Sequence, residues 1–487
     1  MNTTSRLLVA SLACVLACGE VQPLDAPLPQ SMVSPAGVRL VLTNSELQGV
    51  AAAVRLLVGK SHAVSVAPLP LGETAAIAAT TIPVSLGQAS LSVAADAALQ
   101  LELVVTVAPH GLVVKGKGAA CSVQWTPAGG LLSTRLRFGR DPLGALAVTL
   151  LEPPDLVFGA ESLDDVSGCL AALGADAEAS VRDHLRAAVR GTVATKVVDA
   201  ARDVLATVLP ADWEVAVAVG AGANPIAVQT RFIGPDDALI EHNGAFLQAR
   251  IDLAVDAPRH ACVLDQAPPE SGAWVLPIQA PAAPQGAAVL RRSVAVGGAA
   301  LGRFAWAIHR AGMLCRGNAP GLEARLGPNW AAQVAPAVAA LVQPGTVSAR
   351  FWPGGAPDLR VIEGEAGARL EWTLPDAQVE IAAPVDGVEL VVLRISGTLR
   401  IVAALRGVGD AWSIEVEAVE TDSVTVDSPL VALGTVAPAA LAPLLQAVIA
   451  GIFDGVLALP PGFPALVGTA RAGDGLWLWL DGGVQQP

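Results

Sequence analysis

The chain has no tyrosine, three methionines, six histidines and an aromatic content of 4%. Charged residues make up only 15% of its 487 positions, where about 25% is usual. So little charge implies either a membrane protein or a chain that buries unusually large apolar surfaces. Basic runs are missing as well. Thirty Lys and Arg stand against 44 Asp and Glu, a net charge of −14, and a polyanion would meet repulsion everywhere. Nucleic acid is excluded as a partner.

Catalytic signatures are also missing. No Gly-x-Ser-x-Gly elbow occurs, and the six histidines form no HExxH. Gly59-Lys60-Ser61 ends like a phosphate-binding loop, but Val54 occupies the position of its first glycine. Gly116-Lys117-Gly118 and Gly220-Ala221-Gly222 lack a third glycine. One acidic group, Asp236-Asp237 with Glu241 and His242, reads as a solvated turn before it reads as a metal site. His184 and His309 fall on helices, as surface or satisfied residues. The expectation is a protein that is not an enzyme and needs no cofactor.

What is abundant is apolar: 53% hydrophobic residues, with 48 glycines besides. This length exceeds one compact core, so two or more modules are expected. Met1 to Arg6, then the apolar Leu7–Ala17, form a signal segment too short to span a bilayer. It ends in Val15-Leu16-Ala17-Cys18-Gly19, which resembles a lipobox and makes Cys18 the expected lipidation site. Gly19 rather than Asp after that cysteine implies the outer membrane. Pro429–Phe453 is 25 residues without charge, but Pro438 and Pro443 interrupt it and no Lys or Arg flanks it, so a buried helix beginning near Pro443 is expected.

Cys121, Cys169, Cys262 and Cys315 remain outside the signal segment. Four cysteines in an oxidising compartment imply two disulfides with three possible connectivities. Sequence order and the module boundary favour Cys121–Cys169 and Cys262–Cys315. Metal ligation is the alternative, but no pair has CxxC spacing and no histidine is expected to partner them, so no metal is expected.

Gly19 to Gly37 reads as a tether. Thr43-Asn44-Ser45-Glu46 spells a capping box, and Leu47, Val50, Val54 and Leu57 follow at helical spacing to Gly59. From Leu91 to Val107 the odd positions are apolar, as one long strand or a hairpin pair. Between about Ala175 and Val208, Val181, Leu185, Val189, Val193, Val197 and Val204 form a helical stripe ended by Pro210. A proline-rich crossing at Cys262–Gln285 precedes a second round: a helix at about 299–311, strands at about 345–426, a helix at about 439–457, and a last strand through Leu476–Leu480, where Trp477 and Trp479 are packing residues. Helix, long strands and helix thus occur twice.

This order resembles the tubular lipid-binding superfamily, the family of bactericidal permeability-increasing, lipopolysaccharide-binding and lipid-transfer proteins. The likeness rests on Gly37-Val38-Arg39-Leu40 with Leu47-Gln48-Gly49, on Cys121 and Cys169 placed like that family's N-terminal disulfide, and on Val294–Cys315 after the crossing. It rests most on Val431–Val467, with Leu459-Pro460-Pro461-Gly462-Phe463-Pro464, and on the strand through Trp479. The resemblance implies an α+β fold of two pseudo-symmetric barrels, each a long twisted antiparallel sheet wrapped around a long helix, joined by a central sheet into a boomerang. The segments are then a signal peptide (1–17), a tether (18–36), an N-terminal barrel (37–215), a central sheet with crossing (216–290) and a C-terminal barrel (291–487). A second cysteine pair and the acidic charge depart from that family, so its attraction to lipopolysaccharide is not carried over.

The function so implied is non-catalytic binding or transfer of phospholipid or another hydrophobic small molecule, on a membrane-anchored protein. The expected pocket-lining residues are Leu47, Val50, Val54, Val189, Val193 and Val197 in the first module, and Leu301, Phe304, Leu444, Val448 and Ile452 in the second. The alternative is a structural or adhesive surface lipoprotein of the same shape without a pocket.

Overall fold

A computed structural model describes residues 21–481 except 25, 95–97, 117–119, 141–145, 165–167, 169, 209–212, 218–222, 234–239, 243–245, 271–273, 275, 278–280, 283–290, 318–321, 323–325, 328, 409–410, 435, 437, 454 and 458–464. The expected lipidation site at Cys18 and the acidic pair Asp236-Asp237 lie outside the described residues, and so do Cys169 and Gly462-Phe463-Pro464.

The fold is α+β and mostly sheet. Its first helix, α1 (Asn44–Val58), starts as the capping box requires: Thr43 is the N-cap, and its backbone N–H donates to Glu46 Oε2 at 2.6 Å. Helix α2 (Ala175–Val208) carries Asp176 and Glu178 in its first turn, where the helix dipole favours them. Helix α3 is Gly298–Arg310 and α4 is Pro438–Phe453. Two boundaries of α4 differ from the sequence reading. Pro443 lies inside the helix on its exposed side, where it cannot donate a backbone hydrogen bond. The helix also stops at Phe453, because Gly455–Leu457 becomes a strand paired with Trp412–Ile414.

Around α1 and α2 stand a six-stranded sheet (61–66, 80–93, 99–107, 130–140, 146–150, with 155–158 at its side) and a five-stranded one (69–71, 75–77, 110–116, 120–127, 161–164). The alternation from Leu91 to Val107 is a hairpin, Thr80–Val93 against Leu99–Val107. A bulge between Leu86 and Ala89 shifts the parity, so Ile82, Val84 and Leu86 point inward before it and Leu91 after it.

The second half builds a seven-stranded sheet from strands far longer than the common five or six residues: Gly367–Val385 has 19, Val388–Val408 has 21 and Ala411–Asp427 has 17. Four register shifts, at 374/377, 381/382, 396/398 and 402/403, curl it. Its wet face carries arginines of the middle strand between glutamates of both neighbours: Arg394–Glu380 at 2.9 Å, Arg400–Glu371 at 3.3 Å, and Arg406 with Glu415 at 3.0 Å and Glu417 at 3.2 Å. Those exposed pairs fix register more than they stabilise.

A nine-stranded sheet joins the two halves. Its order runs 21–23, 213–217, 226–233, 246–256, 33–43, 291–296, 475–481, 466–472, with 240–242 beside 246–256. The chain's early strand Val33–Thr43 lies between Phe246–Asp256 and Arg291–Val296, and the last strand pairs with the latter. One apolar core runs through both halves, while Trp274, Trp477 and Trp479 form a smaller cluster with Val41, Ala295 and Ala472. The two strand tryptophans are therefore packing residues, as their alternation indicated. Cys262 and Cys315 are bridged, with Cα atoms 6.4 Å apart, and Cys121 is disulfide-bonded. Among the described residues no helix is long and apolar enough to cross a membrane.

Candidate functional site

Leu301, Phe304, Ala305 and Ile308 lie three and four apart on α3 and so share one face. That face meets Leu359, Leu370, Trp372, Leu405 and Ile414 of the seven-stranded sheet, with Leu476 of the last strand beside them, and the lining exposes no polar surface. Strand pairing explains the convergence: Leu359 lies opposite Trp372, and Leu405 opposite Ile414, on the same side of the sheet. The slot so formed has a void of about 30 Å³, the room of roughly one water molecule. For comparison, an apolar cavity of about 150 Å³ takes up benzene. The slot is therefore apolar and too narrow for an acyl chain, which enters only if α3 and the sheet part.

The opposite face of α3 is held by polar ties. Arg303 donates to the Ser31 carbonyl at 2.8 Å, Trp306 Nε1 to the Gln266 carbonyl at 3.0 Å, and Arg310 to the Ala257 carbonyl at 2.7 Å and to Asp265 at 2.6 Å. The Arg310 guanidinium also stands 5.3 Å from the centre of the Trp306 ring. His309 is buried on this helix; its ring bonds the Pro353 backbone, and Nε2 has no partner. Burial, only partly offset by that bond, lowers its pKa from 6.5. The unfolded chain then binds the proton more readily than the fold does, so stability contributed here is present above 6.5 and falls as pH drops below it. Urea melts of the native chain and of His309→Gln between pH 7.5 and 5 should show the wild type losing more stability on acidification; parallel pH profiles would remove His309 as the cause.

The other expected residues lie in the common core. Leu47, Val50 and Val54 of α1 and Val189, Val193 and Val197 of α2 are at most 2% exposed, as is Leu301, with Phe304 at 1%, Leu444 at 3% and Val448 at 0%. Helices α1 and α2 pack on each other, and α4 packs on Ala411–Asp427. Leu301 and Phe304 line the slot; Leu444 and Val448 do not. The side chain of Ile452 lies outside the described residues.

Two features escaped the sequence reading. The first is an open groove of about 400 Å³ between Leu150, Pro153 and Pro154 and the flank of α2 formed by Arg190, Gly191, Ala194, Thr195, Val198, Asp199 and Arg202. It adjoins the apolar stripe at positions that alternate in polarity too freely to form a pattern. The second corrects an expectation: a histidine does partner the second cysteine pair. His260 Nδ1 lies 2.8 Å from Cys262 Sγ, and the spacing His-Ala-Cys was the available signal. His184, half-exposed, bonds the Ala67 carbonyl at 2.8 Å and is satisfied, as its place on a helix indicated.

No protein-family model matches the chain, and no curated protein does. Solved structures do. The crystal structure of lipopolysaccharide binding protein superimposes with a TM-score of 0.44 at 12% identity, covering 92% of this chain and 98% of that one. P47 of Clostridium botulinum E1 gives 0.26 at 8% identity over 92% and 99%, and P47 from Clostridium botulinum A2 gives 0.24 at 8% over 91% and 97%.

Proposed function

We propose that this is an exported, lipid-anchored protein of the outer membrane that holds a hydrophobic ligand, such as an acyl chain, between α3 and the inner face of the long-stranded sheet, without chemical change. We read the chain as two sheet-and-helix modules (37–215 and 291–487) linked by the segment 216–290, both modules lending strands to the central sheet, with Cys18 as the lipidated residue after signal cleavage. One observation carries the ligand reading: a slot whose lining presents only apolar atoms, on a helix bound to the protein's other segments by polar ties. Burying an acyl chain there gains about 25 cal/mol per Å². Because the slot is so narrow at rest, that gain has to exceed the cost of parting α3 from the sheet.

The close packing of α1 and α2 supports a second reading, a surface lipoprotein with filled modules that contacts only other proteins. Native mass spectrometry on the Cys18→Ser chain separates the two. The ligand reading expects a fraction carrying extra lipid mass and saturable uptake of a fluorescent fatty acid. A bare mass together with no uptake establishes the second reading.

A further inference from the structure

Cys262 follows the central-sheet strand Phe246–Asp256, and Cys315 follows the turn that ends α3. Beside their bridge stands the His260 imidazole, and its ligand nitrogen and the two sulfurs all lie within 4.8 Å of one another. The Cys262 backbone N–H donates to Nδ1 at 3.2 Å, so that nitrogen carries a lone pair, and the same nitrogen faces Cys262 Sγ at 2.8 Å. A disulfide sulfur has no proton to give to it. In the bridged state the ring thus presents a donor atom to sulfur with no hydrogen bond between them.

We propose that His260, Cys262 and Cys315 form a redox-gated metal site: shut while the cysteines are bridged and, once they are reduced, a thiolate–thiolate–imidazole set for a zinc-class divalent cation. The site is independent of the ligand slot. Two thiolates and an imidazole suit zinc and disfavour calcium or magnesium, which take oxygen ligands. Zinc–sulfur bonds of about 2.3 Å in a tetrahedron place the sulfurs about 3.8 Å apart. Cα atoms 6.4 Å apart accommodate that separation by side-chain rotation alone. Among the described residues no fourth His, Cys, Asp or Glu joins the group, so water completes the tetrahedron. All three side chains are half-buried, within reach of a reductant and an ion.

The ring's position is built into the fold. The His260 backbone N–H donates to the Arg310 carbonyl at 2.8 Å. On the other side the ring rests against Gly312, where a Cβ would stand 2.3 Å from the ring and 2.6 Å from the histidine's own Cβ. Gly312 also has φ +77°, a conformation side chains disfavour. Opening the site is a two-electron step: a dithiol becomes its disulfide while Cys262 and Cys315 each gain one electron and one proton. Zinc then displaces those two protons. In either state residues 260–262 stay tied to the end of α3, by sulfur or by metal.

The test uses the full chain reduced with excess dithiol, freed of the reductant without air, and titrated with Zn²⁺ against a chromogenic chelator. Reduced wild type should bind one more zinc per chain than reduced Cys262→Ser/Cys315→Ser, and the unreduced protein should lack that extra equivalent. Other thiols are common to both chains and cancel. His260→Ala, which keeps the bridge but removes a ligand, should weaken the extra site by more than the roughly 10-fold that losing even an outer-shell partner costs, and Co²⁺ in place of zinc should give the intense visible absorption of thiolate-bound tetrahedral cobalt. Equal zinc counts overturn the proposal, and so does an affinity indifferent to His260→Ala. If the double variant fails to fold, the His260→Ala titration and the cobalt spectrum decide it.

Discussion

Phe304→Ala should destabilise the protein by about 3–5 kcal/mol and at the same time increase its uptake of a fatty-acid probe. Phe304 is 1% exposed and lies in the slot between Leu301 and Ile308 on α3, facing the sheet. Truncation leaves a dry, apolar cavity in a place that holds about 30 Å³ in the native chain. If the slot is where acyl chains go, that added volume lowers the work of parting α3 from the sheet, and probe affinity rises while stability falls. Ligand at about 100 times its Kd should then return about 2.7 kcal/mol in a denaturant melt. Ala305→Phe makes the opposite change. It overfills the slot for about 1–3 kcal/mol and should abolish uptake while the chain still folds. A filled-core protein gives another pattern: both variants lose stability and neither changes probe binding. Far-UV circular dichroism on each variant keeps misfolding from imitating a lost site.

How much of this could be read from the chain depended on the range of the pattern. The capping box at Thr43 and Glu46, the valine stripe of α2 and the short α3 are local, and the structure places all three where the spacing put them. The 91–107 alternation was legible as period two and left one long strand or a hairpin pair open, because the odd positions stay apolar on both sides of the turn; the parity shift at Leu86/Ala89 lies upstream of that run. Pairing across the chain was harder still. Nothing in Val33–Thr43 says that its neighbours are Phe246–Asp256 and Arg291–Val296, since apolar strands of equal parity are interchangeable on paper. The slot shows the same limit. Leu301 and Phe304 were visible as a helical face, whereas Trp372 and Ile414 become its far wall only through strand pairing. Whether two apolar faces fill the space between them depends on a small difference of large volumes, and periodicity holds no information about it. His260 was missed for a related reason: spacing rules search for repeated ligands along the chain, and the fold made this group by bringing the end of α3 beside a loop.

Glu46→Ala should cost about 2–4 kcal/mol, more than a helix cap alone contributes, and Glu46→Gln should recover most of it. The carboxylate is 4% exposed and serves two levels of structure at once. Oε2 accepts the Thr43 N–H and closes the capping box of α1, while Oε1 accepts the hydroxyl of Ser293, which is fully buried in the strand Arg291–Val296. Alanine removes the cap, worth about 1 kcal/mol, and leaves the buried Ser293 hydroxyl and the part-buried Thr43 amide without this acceptor, at about 1–3 kcal/mol more. Glutamine keeps one carbonyl oxygen for the Thr43 amide and offers its NH₂ to the Ser293 oxygen, whose hydroxyl turns to accept. The comparison that isolates the tertiary part is Ser293→Ala. If Glu46 joins the first helix to the strand shared by both halves, Glu46→Ala made on Ser293→Ala should cost clearly less than on the native background. Two additive losses would mean that the acid acts on α1 alone. The coupling between a residue at the start of the chain and one 247 positions later would show that the two halves fold as one cooperative unit around their common sheet.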